Sequence, residues 1–349
     1  MRGLSLQKLA SMLGETFNKQ LLHRLESGVQ MPNSEQLTKL SNALGQSTDY
    51  FLKPLRTASV QVNYRKAVGL GKKTADRIIE LAGDYFERYS ELEDLLGIDQ
   101  QNADLQGSIL SVDQTNVMEE AINIRTNILK VGLTPLSNIM QTLDSCGVKV
   151  LVVNSINGAV LDGSFDGFST IINGNAGCII LNGNPKLPLV YKRFALLREF
   201  AHVYLDLNGI DSRAAGKLCN TLASALLIPK HSLIETFGAY RTAIHFNELK
   251  LFKRTIGAPV SVILRSLYSN GIISQSYFNS QMIEYNLTYK KDEARDFYGR
   301  EQSDRFEQLL LRALVTGVIS ESKAAALMNM KVGQFLEYLD KMFDADSSN

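Results

Sequence analysis

The chain has 349 residues, 45% of them hydrophobic and 21% charged, with a formal net charge of +1. That length exceeds one ordinary core and implies two or three domains, and the balance of apolar to charged residues excludes a disordered chain. No run approaches the ~18–20 apolar residues of a spanning helix, and the start has no signal-peptide pattern. Cys146, Cys178 and Cys219 are too far apart for a CxxC knuckle or a disulfide framework, so a reducing, cytoplasmic setting is expected.

Charge is uneven along the chain. Residues 1–77 hold twelve Lys or Arg against five Asp or Glu. An excess of this kind suits contact with a polyanion, although a charged solvated surface also explains it without any ligand.

Residues 5–56 read as short helices joined by tight turns. Ser5 is an N-cap candidate for a helix over 6–13 that Gly14 ends, and Asn18 caps a second over 19–27 that Gly28 stops. Asn33 followed by Gln36 is a capping-box pattern for a third helix, closed at Gly45, and Ser47 starts a fourth through Leu52. Residues 57–73 alternate Val60, Val62 and Tyr64 before a Gly- and Lys-rich turn, which predicts a strand or an extended linker. From 74 to 96, Ile78, Leu81, Ala82, Tyr85, Tyr89, Leu92 and Leu96 recur at helical spacing and predict a long helix linking head to body.

Helices are expected next at 114–130 and at 135–145, the latter with Pro135 in its first turn. Strands follow at 148–153, 168–172 and 177–182, bounded by Gly and Asn. A long helix over 190–207 comes next, and helices dominate to about Phe343. Segments 244–284 and 319–342, short helices split by Gly or Ser, read as packing on the body rather than as further DNA-reading units. Gly69-Leu70-Gly71 and Gly174 lack the strand-to-helix context of a phosphate loop, so nucleotide binding has no support.

Two helices of this size and spacing suit a major groove, which the second helix would enter with Lys19, Gln20, His23 and Arg24 while Gln7 and Lys8 meet phosphate. Gln reads adenine and Arg or Lys reads guanine by bidentate hydrogen bonds. The strings SLQKLASMLG and HRLESGVQMPNSEQLTKLSNALGQSTDYFL resemble the XRE family of phage-repressor-like helix-turn-helix domains over nearly fifty residues. Two departures stand out: the turn between the first two helices is about two residues longer than the commonest form, and the helix that the family places before Gly3–Ser5 is not in the sequence. A head used only for protein contact is the competing reading.

The second chemical signal is Arg198-Glu199-Phe200-Ala201-His202, which has the spacing of a zinc-peptidase HExxH helix but begins with arginine. A guanidinium has no lone pair for a metal. A lone helical His is ordinary structure, and the string gains weight only from its neighbours. FDGFSTIINGNAGCIILN, KRFALLREFAHVYLD and KLCNTLASALLIP resemble, in this order, the ImmA/IrrE family of metallo-endopeptidases. In that family a glutamate three residues before a (C/A)-N-x-x-A motif is the third ligand; aligned on Cys219, Asn220 and Ala223, the position is Gly216. The resemblance thus implies one surviving ligand, His202, and a general-base position, Glu199. Asp206, four residues after His202, offers a weaker His and carboxylate alternative. In the plainer reading Arg198 takes the place of the cation and compensates Glu199 or another inward carboxylate.

The fold expected is mainly α with a small β-sheet: a helix-turn-helix domain over 1–56, a linker over 57–109, a peptidase-like domain over 110–240 and a helical C-terminal region over 241–349. The function expected is a DNA-binding transcriptional regulator whose body is catalytically impaired and acts as a sensor or partner-binding module. An autoregulating antitoxin with a toxin partner is a special case that the resemblance implies. An active zinc endopeptidase cleaving a repressor is the alternative. Double-stranded operator DNA and a second copy of the chain are the expected partners, with no membrane and no cofactor, zinc being disfavoured.

Overall fold

Ser5 accepts a hydrogen bond from the Lys8 amide at 3.2 Å and opens α1 (Leu6–Leu13), which ends at Gly14 with φ +85°. Asn18 does the same for α2 (Lys19–Glu26) through the Leu21 amide at 2.7 Å. Both halves of the capping box form at α3 (Ser34–Leu44), with Gln36 N to Asn33 Oδ1 at 2.8 Å and Asn33 N to Gln36 Oε1 at 3.0 Å. Each cap satisfies amides that the first helical turn leaves without partners. The five-residue turn between α1 and α2 has a use: Phe17 within it is 4% exposed and packs with Leu9, Leu13, Leu21, Leu22 and Leu40 in the head's core.

This computed structural model describes residues 4–45, 60–61, 71–98, 116–156, 159–161, 165–172, 176–295 and 297–346, with Thr48 and Phe51. Most of the helix expected over 47–52, most of the linker over 57–73, and Gly69, Leu70 and Gly174 lie outside the described residues. Fold class is as the periodicities predict, mainly helical with a small mixed sheet.

Two compact units form. The first holds the described residues within 1–57, 87–99 and 306–349; the second holds those within 58–86 and 100–305. The long helix α4 (Lys72–Leu95) contributes to both. In the first unit its second half packs with α13 (Arg305–Val315) and α14 (Glu321–Leu327), ahead of α15 (Val332–Asp346). Tyr89 lies 5.2 Å from Phe306 between ring centroids, Lys323 pairs with Glu91, and Arg88 donates to the Leu327 carbonyl. Residues 319–342 therefore fall in the first unit, held by these contacts, where the sequence suggests packing on the body.

The second unit is built on a small mixed sheet. Strand β6 (Ala176–Asn182) pairs parallel with β2 (Lys149–Val153) and antiparallel with β5 (Gly167–Ile172), which pairs in turn with β1 (Val60–Gln61), giving the order β1-β5-β6-β2. A separate antiparallel pair joins β3 (Ser155–Ile156) to β4 (Ala159–Val160). Cys178, Ile179, Ile180 and Leu181 are all at most 2% exposed. Period two sends Ile179 and Leu181 into the main helical core, and Cys178 and Ile180 into a second core with Ile78, Ala82 and Phe86 of α4.

On the first of those faces lies α7 (Leu189–Tyr204), seated by two glycines. A Cβ on Gly177 would stand 2.5 Å from Val203 Cγ1, and one on Gly167 would stand 2.8 Å from the Ile180 carbonyl and 3.6 Å from Glu199 Cγ. The missing side chains let helix and sheet approach at Glu199 and, one turn on, at Val203. Arg193, on the same helix and fully buried, pairs with Glu301 and donates to the Gly257 carbonyl at 2.9 Å. Helices α11 (Val260–Ser269) and α12 (Gln275–Glu284) follow later in the same unit, and Ile263, Leu264 and Leu267 of α11 join the main core.

Two boundaries differ from expectation. Pro135 does not open a helix. Helix α5 (Val117–Asn123) runs into a π-helical turn, Ile124–Ile128, that points Arg125 inward to the Gly132, Thr134 and Leu226 carbonyls, while Arg193 takes those of Leu136 and Ser137. With these carbonyls held by guanidinium groups, helix α6 (Ile139–Ser145) starts only at the Asn138 cap, where Glu301 also accepts from the Ile139 and Met140 amides at 2.8 and 3.0 Å. Helix α7 ends at Tyr204, with Leu205 extended, so Asp206 is not on it.

Candidate functional site

In the head, Gln7, Lys8, Lys19, Gln20, His23 and Arg24 are all exposed. At about 100° per residue, Lys19, Gln20, His23 and Arg24 share an arc of roughly 140° on α2. Leu21, Leu22 and Leu25 occupy the opposite side and meet the core. The chain's local pattern thus separates an anchoring face from a polar face that carries cations and an amide, the groups that bind phosphate and base edges.

In the second unit, the residues expected at the metal position are arranged around α7. Arg198 donates to Glu199 Oε1 from Nε at 3.2 Å and Nη2 at 3.1 Å, and to Asp166 Oδ2 from Nη1 at 3.3 Å. The Ser169 hydroxyl donates to the other Glu199 oxygen at 3.2 Å. Glu199 is 5% exposed, and burial raises its carboxyl above the usual range against the opposing pull of Arg198. Farther along α7, His202 Nδ1 lies 3.0 Å from Cys219 Sγ, with Cys219 buried on α8 (Ser212–Leu227).

These residues do not fit zinc. Arg198 offers no lone pair and is already committed to two carboxylates; Gly216, on α8, has no side chain; and Asp206 accepts from the Asn208 amide at 3.0 Å beyond the helix end. Among the described residues no group of three or more His, Cys, Asp or Glu is placed to hold a metal.

Sequence reasoning brings Arg198, Glu199 and His202 to one helix and Gly216 to the next, where the structure also puts them. It misses Asp166, Ser169, Gly167 and the Cys219 contact. Alternation in Asp166-Gly167-Phe168-Ser169 carries a usable signal, since period two gives Gly167 and Ser169 the same face. Nothing local points to Asp166 or to the pairing of His202 with Cys219.

Residues 1–51 match the sequence model of the helix-turn-helix family, which supports a DNA-binding transcription regulator. No curated protein and no solved structure matches the chain. No helix among the described residues is long and apolar enough to cross a membrane.

Proposed function

We propose that this protein is a transcriptional regulator whose head reads an operator through α2 and whose second unit is a metallopeptidase-like module that works by binding. The helix-turn-helix match over residues 1–51, with all six predicted contact residues exposed, carries the DNA half of the reading. Two copies acting on a two-fold operator are the simplest way for so small a head to gain specificity.

For the second unit, support comes from the ion-pair cluster on α7. A guanidinium stands at the first ligand position and neutralises Glu199, the residue a hydrolytic site would keep as base. With Gly216 at the third ligand position, the residues offer a stable charged core rather than a metal centre. A sensor or partner-binding role uses the same frame without the hydrolytic chemistry.

Binding of full-length protein to the DNA upstream of its own gene, measured at increasing salt, tests the DNA half. Affinity should fall linearly on a log-log plot as counterions are released. Arg24→Ala and Gln20→Ala variants that bind that DNA and unrelated DNA as wild type does would overturn it.

A further inference from the structure

Away from α7, a cavity of about 600 Å³ opens between α9 (Lys230–Phe237), α10 (Phe246–Ile256) and the turn at 133–135. Its volume falls in the range of small-molecule sites. Leu133, Pro135, Leu251 and Phe252 supply apolar wall. Leu133 is 44% and Leu251 58% exposed, so the mouth holds apolar surface that water now covers at a cost.

Acidic residues line this cavity. Glu235 and Glu248 both line it, and among the described residues that line it none is Lys or Arg. The two acids are not equivalent. Glu248 is held from outside, by Arg241 Nη2 at 3.2 Å and by the His245 amide at 2.9 Å, as part of the capping box of α10. Glu235 has His231 Nδ1 at 3.7 Å, a partner that is charged only when protonated. With Glu248 matched by Arg241, Glu235 is the acidic group that the mouth presents to a ligand.

We infer that this cavity binds a small amphiphilic cation, an aromatic or aliphatic body with an ammonium or guanidinium group. The body would cover Leu133, Pro135, Leu251 and Phe252, and the cation would face Glu235. An anion of the same shape would meet Glu235 with no lining Lys or Arg to hold it, and an uncharged one would make no ion pair with that carboxylate. The inference concerns ligand binding by the second unit alone, so it stands or falls separately from DNA recognition.

Fluorescence titration of the full-length chain with dansylcadaverine tests it. The comparator is the dansyl amide of 6-aminohexanoic acid, which has the same fluorophore on a chain ending in carboxylate. Dansylcadaverine should bind saturably with blue-shifted emission, at least about tenfold more tightly than the comparator. Glu235→Gln should weaken it by about threefold, the size expected of one exposed charge pair. Thr255→Trp, which places an indole on the cavity wall from an exposed position, should abolish saturable binding. Both positions are exposed and the variants should retain the wild-type melting curve; should Thr255→Trp fail to fold, Glu235→Gln decides alone. Equal affinity for the two probes, no saturable binding of either, or a Glu235→Gln variant that binds the cation as wild type does would overturn the inference.

Discussion

His202 Nδ1 meets Cys219 Sγ at 3.0 Å, across the contact between α7 and α8. Gly216 lies one turn before Cys219, on the neighbouring stripe of α8, and a Cβ built there would meet nothing within 4 Å beyond its chain neighbours and its own helix backbone.

A glutamate at 216 should therefore fit without collision. The double substitution Arg198→His with Gly216→Glu would present two imidazoles at i and i+4 and a carboxylate, the ligand set of an open zinc site. We expect the double variant to take up about one zinc per chain by elemental analysis, and neither single variant to do so. Gly216→Glu should also add up to ~1 kcal/mol of helix stability. A folded double variant without zinc would show that the helices do not align as the resemblance implies.

Arg198→Ala should destabilise the protein by about 1–3 kcal/mol, because it leaves Glu199 buried without its cation; the partial exposure of Arg198 keeps the figure below that of a fully buried pair. The effect has a definite pH sign. Burial holds the Glu199 carboxyl above its ordinary range, and loss of Arg198 raises it further. A carboxyl whose folded pKa lies above its unfolded value stabilises the fold below the unfolded value, and loses that contribution as pH rises through the folded one. Urea denaturation should thus show a larger loss at pH 8 than near pH 5. Adding Glu199→Gln should recover much of the loss at pH 8; no recovery would argue against the buried charge as its cause.

Gly177→Ala should cost about 1–3 kcal/mol, since its methyl group would collide with the stiff Val203 side chain. Val203→Ala should relieve most of it, a non-additivity readable in a double-mutant cycle of melting temperatures. Gly167→Ala should resist such rescue, because the first atom met is the Ile180 carbonyl of the backbone.

In the head, Arg24→Ala and Gln20→Ala should each weaken specific binding by ~1–3 kcal/mol, and Lys8→Ala should weaken all DNA alike and lower the salt slope by about one. Asn33→Ala should cost about 1 kcal/mol through the capping box, read as a lower thermal midpoint, with the α2 contacts themselves unchanged.

Caps and periodicity make the head legible in the amino-acid order alone: Ser5, Asn18, Asn33 and Gly45 act within three or four residues of themselves, so their hydrogen bonds are local and the sequence states them directly. The same locality places Arg198, Glu199 and His202 on one helix and marks β2, β5 and β6 by their apolar runs. Only tertiary structure decides what those side chains touch. Pro135 has the look of a helix start, yet Arg125 and Arg193 claim the carbonyls around it from elsewhere in the second unit. Asp166 reaches Arg198 from thirty-two positions away, and Cys219 reaches His202 from seventeen, along paths set by the packing of α7 on the sheet and on α8. A charge's partner depends on which elements come within hydrogen-bond range, and that distance is a property of the packed chain, which spacing along the sequence does not encode.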